Sequence, residues 1–229
     1  MTKKERYEKV FAWFKQNMGE VETELNYGSP FQLLVAVMLS AQCTDKRVNM
    51  VTPALFVAYP DAESMSKATD EEILAYVKSV TYPNAKAKHL VEMAKIVAGE
   101  YGGEVPDDDK LLQRLPGVGR KTAHVIQAVL FKRPEMPVDT HVFRVSARIG
   151  LTTNAKNVLQ TEKQLVKYIS KEDIPDAHHQ LLLHGRYICT ARNPKCLQCG
   201  ISPYCIFFEK DTNKRKKMDT NEYLCNREI

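Results

Sequence analysis

What this sequence lacks narrows it first. No apolar stretch approaches the ~20 residues needed to cross a bilayer; the longest uninterrupted run, Leu33 to Leu39, falls far short. No alternation of apolar and polar residues marks a strand, and no internal repeat is visible. No segment is of low complexity apart from a basic C-terminal tail. The N-terminus, Met1-Thr2-Lys3-Lys4-Glu5-Arg6, enters charged helical sequence rather than an apolar segment with a small-residue cleavage site. Neither sign of charge dominates. The 33 Lys and Arg against 28 Asp and Glu leave a formal charge of +5, compatible with a polyanionic partner but weak support for one. The expectation is a soluble, cytoplasmic, all-α protein with no membrane association. At 229 residues it is long enough to fold without covalent staples, so small size does not account for its cysteines.

What is present is helical punctuation. Ser29-Pro30-Phe31-Gln32 reads as a helix start, with serine as N-cap, proline at the first helical position and glutamine at the capping-box position. The helix from Phe31 to about Gln42 is apolar nearly all round, so it belongs in the middle of a helical domain. Thr69-Asp70-Glu71-Glu72 is a second capping box, and a further helix is expected from about Ala85 to Tyr101, ended by Gly102-Gly103. Asp107, Asp108 and Asp109 stand where a helix N-terminus favours acidic groups. Others are expected at Thr140 to Ile149, Asn157 to Ile169 and Asp176 to Tyr187.

The most informative stretch is Leu115-Pro116-Gly117-Val118-Gly119-Arg120-Lys121-Thr122, followed by Val138-Asp139-Thr140-His141. A helix, a tight Gly-x-Gly turn and a second helix make a helix-hairpin-helix, in which amides at the second helix's N-terminus attract an anion such as a DNA phosphate. An ordinary interhelical turn would use the same glycines. Lys121 falls in the first turn of the second helix, where the helix dipole and the neighbouring Arg120 disfavour an ammonium and favour the neutral amine that a nucleophile requires. Alternatively it neutralises a phosphate. Asp139 stands where an N-cap belongs, and a capping carboxylate can still direct its second oxygen at a substrate.

Cys189, Cys196, Cys199 and Cys205 cluster, while Cys43 and Cys225 stand apart. Such clustering in an intracellular protein argues for a metal rather than disulfides, and spacing alone leaves zinc and iron–sulfur nearly balanced. Lys210, Lys214, Arg215, Lys216 and Lys217 crowd into the tail, most simply as a solvated segment.

Taken together, Leu115 to Ala123 and Val138 to Val145 resemble the signature of the endonuclease III family of DNA glycosylases. The likeness extends to Leu39-Ser40-Ala41-Gln42-Cys43-Thr44-Asp45 and to the cysteine region, over roughly residues 5 to 208. It implies that Lys121 attacks C1′ of a flipped nucleotide with Asp139 assisting. The hairpin residues Leu115, Gly117, Val118, Gly119 and Arg120 would then bind DNA. Gln42 would fill the gap left by the base. In place of the family's Gly-Leu-Tyr-Asn wedge, the chain has Thr81-Tyr82-Pro83-Asn84, which puts Tyr82 at the leucine position. The resemblance also tips the four cysteines towards a 4Fe-4S cluster, with Arg192 and Lys195 of the intervening loop facing phosphates.

The same resemblance implies two lobes, residues 22 to 133 and residues 1 to 21 with 134 to 209, followed by the tail 210 to 229. The expected function is a monomeric, bifunctional glycosylase/AP lyase acting on duplex DNA with oxidised or ring-saturated pyrimidines or abasic sites. It would be cytoplasmic, with the nucleoid in a bacterium. An adenine-mismatch glycosylase and a non-catalytic hairpin DNA-binding protein are the alternatives. Ala36 disfavours the first, since that family usually has a catalytic glutamate there, and Lys121 with Asp139 disfavours the second.

Overall fold

A computed structural model of the chain describes residues 1–19, 21–210 and 212. The tail cations Lys214, Arg215, Lys216 and Lys217, and Cys225, lie outside the described residues. In chain order the helices are α1 (Lys3–Met18), α2 (Pro30–Ser40), α3 (Asp45–Ala58), α4 (Ala62–Ser66), α5 (Asp70–Val77), α6 (Pro83–Glu100), α7 (Asp109–Gln113), α8 (Arg120–Leu130), α9 (Thr140–Ile149), α10 (Val158–Leu165) and α11 (Ile174–Tyr187). Two short 3-10 turns follow, Cys196–Gln198 and Ser202–Tyr204. No strand occurs among the described residues, so the all-α expectation holds. None of these helices is long and apolar enough to cross a membrane. The chain divides into two compact units, one of Glu22–Pro137 and one of Met1–Val21 with the chain from Val138 onwards.

In the unit of Glu22–Pro137, α2 lies in the middle of the core: Phe31 and every residue from Leu33 to Leu39 are buried, and α3, α6 and α8 pack on it. Its start is built as the sequence suggests, with one displacement. Ser29 Oγ accepts from the Gln32 amide at 3.2 Å, but the Gln32 side chain accepts from Gly28 N at 2.8 Å, one residue upstream of the reciprocal capping-box bond. The second capping box is complete, Glu72 N donating to Thr69 Oγ1 and Thr69 N to Glu72 Oε2. Helix α6 begins at Pro83, two residues before the expected start, because proline's fixed φ suits the first helical position.

Helix α3 is absent from the helices expected above. Thr44 caps it, but Pro53 in its interior interrupts the run of donors, since proline cannot donate to a carbonyl one turn back.

In the other unit, Thr2 and Glu5 form a capping box at the start of α1. The Tyr7 hydroxyl, buried, donates towards the carbonyls of Leu151 (3.0 Å) and Gln164 (3.3 Å), and the ring stacks on Tyr168. Burial pushes the Tyr7 phenol well above its ordinary range. Helices α9 and α11 cross closely at Gly185, where a β-carbon would stand 2.9 Å from His141 Cβ and 3.0 Å from Val145 Cγ2. Only glycine permits that approach.

Candidate functional site

The hairpin is assembled from α7, the turn 114–119 and α8. Asp108 Oδ1 accepts the amides of Lys110 and Leu111, which starts α7. Arg114 and Leu115 close that helix, and Val118 N returns to the Leu115 carbonyl at 3.0 Å. Gly117 has φ +79, and a β-carbon there would lie 3.0 Å from Met38 Cε and 3.1 Å from His89 Cβ. Gly119, by contrast, has ordinary extended backbone (φ −88, ψ 175) and open space where a β-carbon would go. It is the N-cap of α8, and no side chain caps that helix.

The motif's side chains divide in the same way. Leu115 and Val118 are 2% and 5% exposed and belong to the core, whereas Arg120 and Lys121 are exposed. A nucleic-acid contact by Leu115 or Val118 therefore has to come from backbone. Behind them, His124, on α8 and buried, lies 3.3 Å from Glu135 Oε2 and 3.8 Å from Asp109 Oδ1.

In the same unit, Gln42 and Tyr82 are both exposed and both left-handed, with φ 55 each. Left-handed backbone is uncommon outside glycine, and for a bulky residue it is an outlier held by its surroundings. Thr81 Oγ1 donates to the Gln42 carbonyl at 2.8 Å. Lys86 Nζ donates to the carbonyls of Leu39 (2.8 Å) and Ala41 (2.7 Å) at the end of α2.

Asp139 and the cysteines belong to the other unit. Asp139 is the N-cap of α9, its Oδ1 accepting from Val142 N at 2.8 Å, and it is half-buried. The cap occupies one of the two carboxylate oxygens. Along α9, Arg144 donates to the carbonyls of Cys189 (3.1 Å) and Gly185 (2.9 Å). Arg148, one turn on, donates to the carbonyls of Thr190 (2.7 Å) and Ala191 (3.0 Å) and approaches Cys189 Sγ at 3.6 Å. Its guanidinium also lies over the Phe207 ring. These two arginines fix the cysteine loop to α9, a role the sequence reading missed. Their four-residue separation, which puts both on one helical face, was the available signal.

None of the five described cysteines is disulfide-bonded. Cys189, Cys196, Cys199 and Cys205 share the lining of one small cavity with His184, Ile201 and Phe208. Burial pushes the Cys199 thiol up to about 11 and raises Cys205, and Cys189 and Cys196 add to both shifts. Four thiolates gathered this way repel one another unless a polycation neutralises them, which is the chemistry of a thiolate-bound metal centre. Backbone amides of Ile201, Phe207 and Phe208 and the Arg148 guanidinium supply donors to the sulfurs, the outer support such a centre needs. The residues fit an iron–sulfur cluster. Trp13 packs against Gly200, where a β-carbon would run into its ring. Arg192 and Lys195, exposed, stand on the loop between the first two cysteines.

Comparison with known proteins gives this geometry a context. Residues 35–171 match the family "HhH-GPD superfamily base excision DNA repair protein", and residues 189–205 match "Iron-sulfur binding domain of endonuclease III". The chain is 46% identical over 201 residues to endonuclease III of Rickettsia felis, covering 87% of this chain and 93% of that protein. It is 41% identical over 210 residues to endonuclease III of Escherichia coli K12, covering 92% and 99%. Among solved structures, a trapped endonuclease III–DNA covalent intermediate superposes with a TM-score of 0.86 at 38% identity, covering 93% of this chain and 100% of that one. The chain belongs to the endonuclease III family of HhH-GPD base excision DNA repair proteins.

Proposed function

We propose that this protein is a bifunctional DNA glycosylase/AP lyase that removes oxidised or ring-saturated pyrimidines from duplex DNA and cleaves the abasic site by β-elimination. The observation that carries this reading is an exposed lysine in the first turn of an uncapped helix after a Gly-x-Gly hairpin, in a chain related throughout to endonuclease III. A structural neighbour is a covalent endonuclease III–DNA intermediate, and a covalent intermediate requires a nucleophile on the protein. Here that nucleophile is Lys121.

The neutral Nζ of Lys121 forms a bond to C1′ as the N-glycosidic bond breaks, and the base departs with that electron pair and takes up a proton. Asp139 accepts a proton from the attacking amine and offsets the positive charge that develops on the sugar. Opening of the C1′–O4′ bond gives the Schiff base. This acidifies the C2′ proton; its loss expels the 3′ phosphate, and water then hydrolyses the imine to free Lys121. A water nucleophile would stop at base removal, so the lysine accounts for both activities.

The hairpin's open N-terminal amides and Arg120 bind phosphate, as do Arg192 and Lys195. Because a stacked base is out of reach of the amine, the nucleotide must flip. Gln42 fills the vacated space and Tyr82 stacks on the neighbouring bases. Cys189, Cys196, Cys199 and Cys205 hold a 4Fe-4S cluster, which when bound cross-links the loop that presents Arg192 and Lys195. The protein acts as a cytoplasmic monomer.

Borohydride trapping on an oligonucleotide with thymine glycol or an abasic site tests the chemistry. Wild type should form a covalent adduct and Lys121→Ala should not; equal trapping by the two would overturn the assignment. Purified protein should contain iron and labile sulfide, and a colourless protein with zinc on the four thiolates would refute the cluster.

A further inference from the structure

The mechanism leaves one contact unused. Lys86, on the second turn of α6, is partly buried, and its described partners are two carbonyls, Leu39 and Ala41, with no carboxylate. Burial pushes its amine down from the ordinary lysine value, opposed by Cys43. An ammonium placed there gives up water for carbonyls alone. Its location explains what it gains.

The carbonyls belong to the last turn of α2 and to its C-cap, Ala41, where intrahelical donors run out. Immediately beyond, Cys43 N closes on the Ser40 carbonyl at 3.0 Å, with Ala41 at φ −57, ψ 114 and Gln42 at φ 55. This is a type II turn, whose third position calls for glycine or asparagine. Glutamine occupies it. On the other side, Tyr82 takes φ 55, ψ 51 immediately before Pro83, where proline disfavours the right-handed helical conformation. Thr81, its predecessor, donates to the Gln42 carbonyl. Three hydrogen bonds from residues 81–86 thus grip residues 39–42, bracketing the two exposed side chains in left-handed conformations.

We infer that Lys86, with Thr81, is a positioning residue that locks Gln42 and Tyr82 into one preformed two-pronged element, so that both enter the duplex together when the nucleotide flips. This rests on the assignment of Gln42 and Tyr82 as inserted residues. Holding both strained residues before DNA arrives spares the flipping step the entropy of ordering two loops. Release of Lys86 lets each relax to commoner backbone states, and flipping then requires their recovery.

The test compares wild type, Lys86→Met, Lys86→Arg and Thr81→Val in two assays. One follows flipping in duplex by the fluorescence of 2-aminopurine beside an abasic site. The other measures borohydride trapping on a single-stranded abasic oligonucleotide, which has no stack to open. Lys86→Met should slow duplex flipping by about tenfold, the scale expected for release of strained backbone, with single-strand trapping unchanged. Thr81→Val should show a smaller loss, and arginine, which can still donate to both carbonyls, should restore most of the rate.

Flipping by Lys86→Met at the wild-type rate would overturn the inference, as would equal losses on both substrates. Gln42→Ala and Tyr82→Ala separate the two levels of the argument. If both flip normally, the insertion assignment falls and the clamp with it. If they are slow while Lys86→Met is normal, the clamp alone falls.

Discussion

The two hairpin glycines provide a sharp contrast, because the same substitution should fail for different reasons. Gly117→Ala places an L residue at φ +79, which costs about 1–2 kcal/mol from contact between the β-carbon and the backbone. The added methyl also stands 3.0 Å from Met38 Cε and 3.1 Å from His89 Cβ. The methionine terminus can move, but His89 Cβ is fixed close to the α6 backbone, so crowding adds about 1 kcal/mol. The sum, about 2–3 kcal/mol, lowers the melting temperature by about 4–12 °C for a chain of this size.

Gly119→Ala has none of these penalties. Its backbone is extended and nothing lies within 4 Å of the new methyl. Reduced freedom of the unfolded chain favours it by about 0.4–1 kcal/mol, while alanine's weakness as an N-cap offsets a similar amount. Stability stays nearly unchanged. The methyl instead sits at the uncapped amides of α8 and obstructs a phosphate. Thermal unfolding by circular dichroism and titration of an abasic-analogue duplex at fixed salt should therefore separate the variants: Gly117→Ala melts early, and Gly119→Ala melts normally but binds weakly. If Gly119→Ala melts below Gly117→Ala, or binds as wild type does, the division of labour is wrong.

Asp139→Asn should keep the α9 cap and melt like wild type, yet lose about 10²–10⁴ in turnover, whereas Asp139→Ala should also lose about 1 kcal/mol of stability with the cap. Unfolding and single-turnover assays read the two effects separately. Arg148→Ala strips donors from the Thr190 and Ala191 carbonyls and from Cys189 Sγ, at about 1–3 kcal/mol for an unsatisfied group. The protein's visible absorbance should then fade faster under chelator; an unchanged rate would mean that Arg148 does not support the loop. Val118→Ala should lower stability by about 1–2 kcal/mol without altering DNA affinity well below the melting temperature. Arg120→Ala should reduce the slope of log affinity against log salt by about 1.

Much of the fold was legible because its signals are local. Ser29, Thr69, Asp139 and Asn157 each cap a helix in the structure, and capping depends on residues within one turn. Two helices were not expected, Asp45–Ala58 and the five-residue Ala62–Ser66; the first failed for a local reason as well, because Pro53 reads as a break, although tertiary packing of Val48, Thr52 and Leu55 carries the helix through it. At the candidate site, Lys121 and Asp139 could be singled out only through the resemblance of their motif to a known family, since by residue type alone they read as a phosphate neutraliser and an N-cap, whereas the four cysteines stand out by their clustering. The supports could not. Arg148 reaches Ala191 and Lys86 reaches Leu39 across dozens of residues, and a lysine or arginine on a helix has no local mark that distinguishes a clamp from a solvated side chain.

The hairpin motif also reads more uniformly in one dimension than it is built in three. Residues 115 to 121 look like one DNA-contacting block, yet Leu115 and Val118 point into the core and Gly117 is required by a positive φ against Met38 and His89, while Gly119, Arg120 and Lys121 are exposed. The two constraints interleave because a tight turn between packed helices has an inner and an outer side. The inner residues fix where α8 begins, and that beginning determines where the free amides and the Lys121 amine are held. Packing at Leu115 and Val118 therefore acts on DNA only through the position of the helix they anchor, which is why their truncation should register in melting temperature while that of Arg120 registers in the salt dependence.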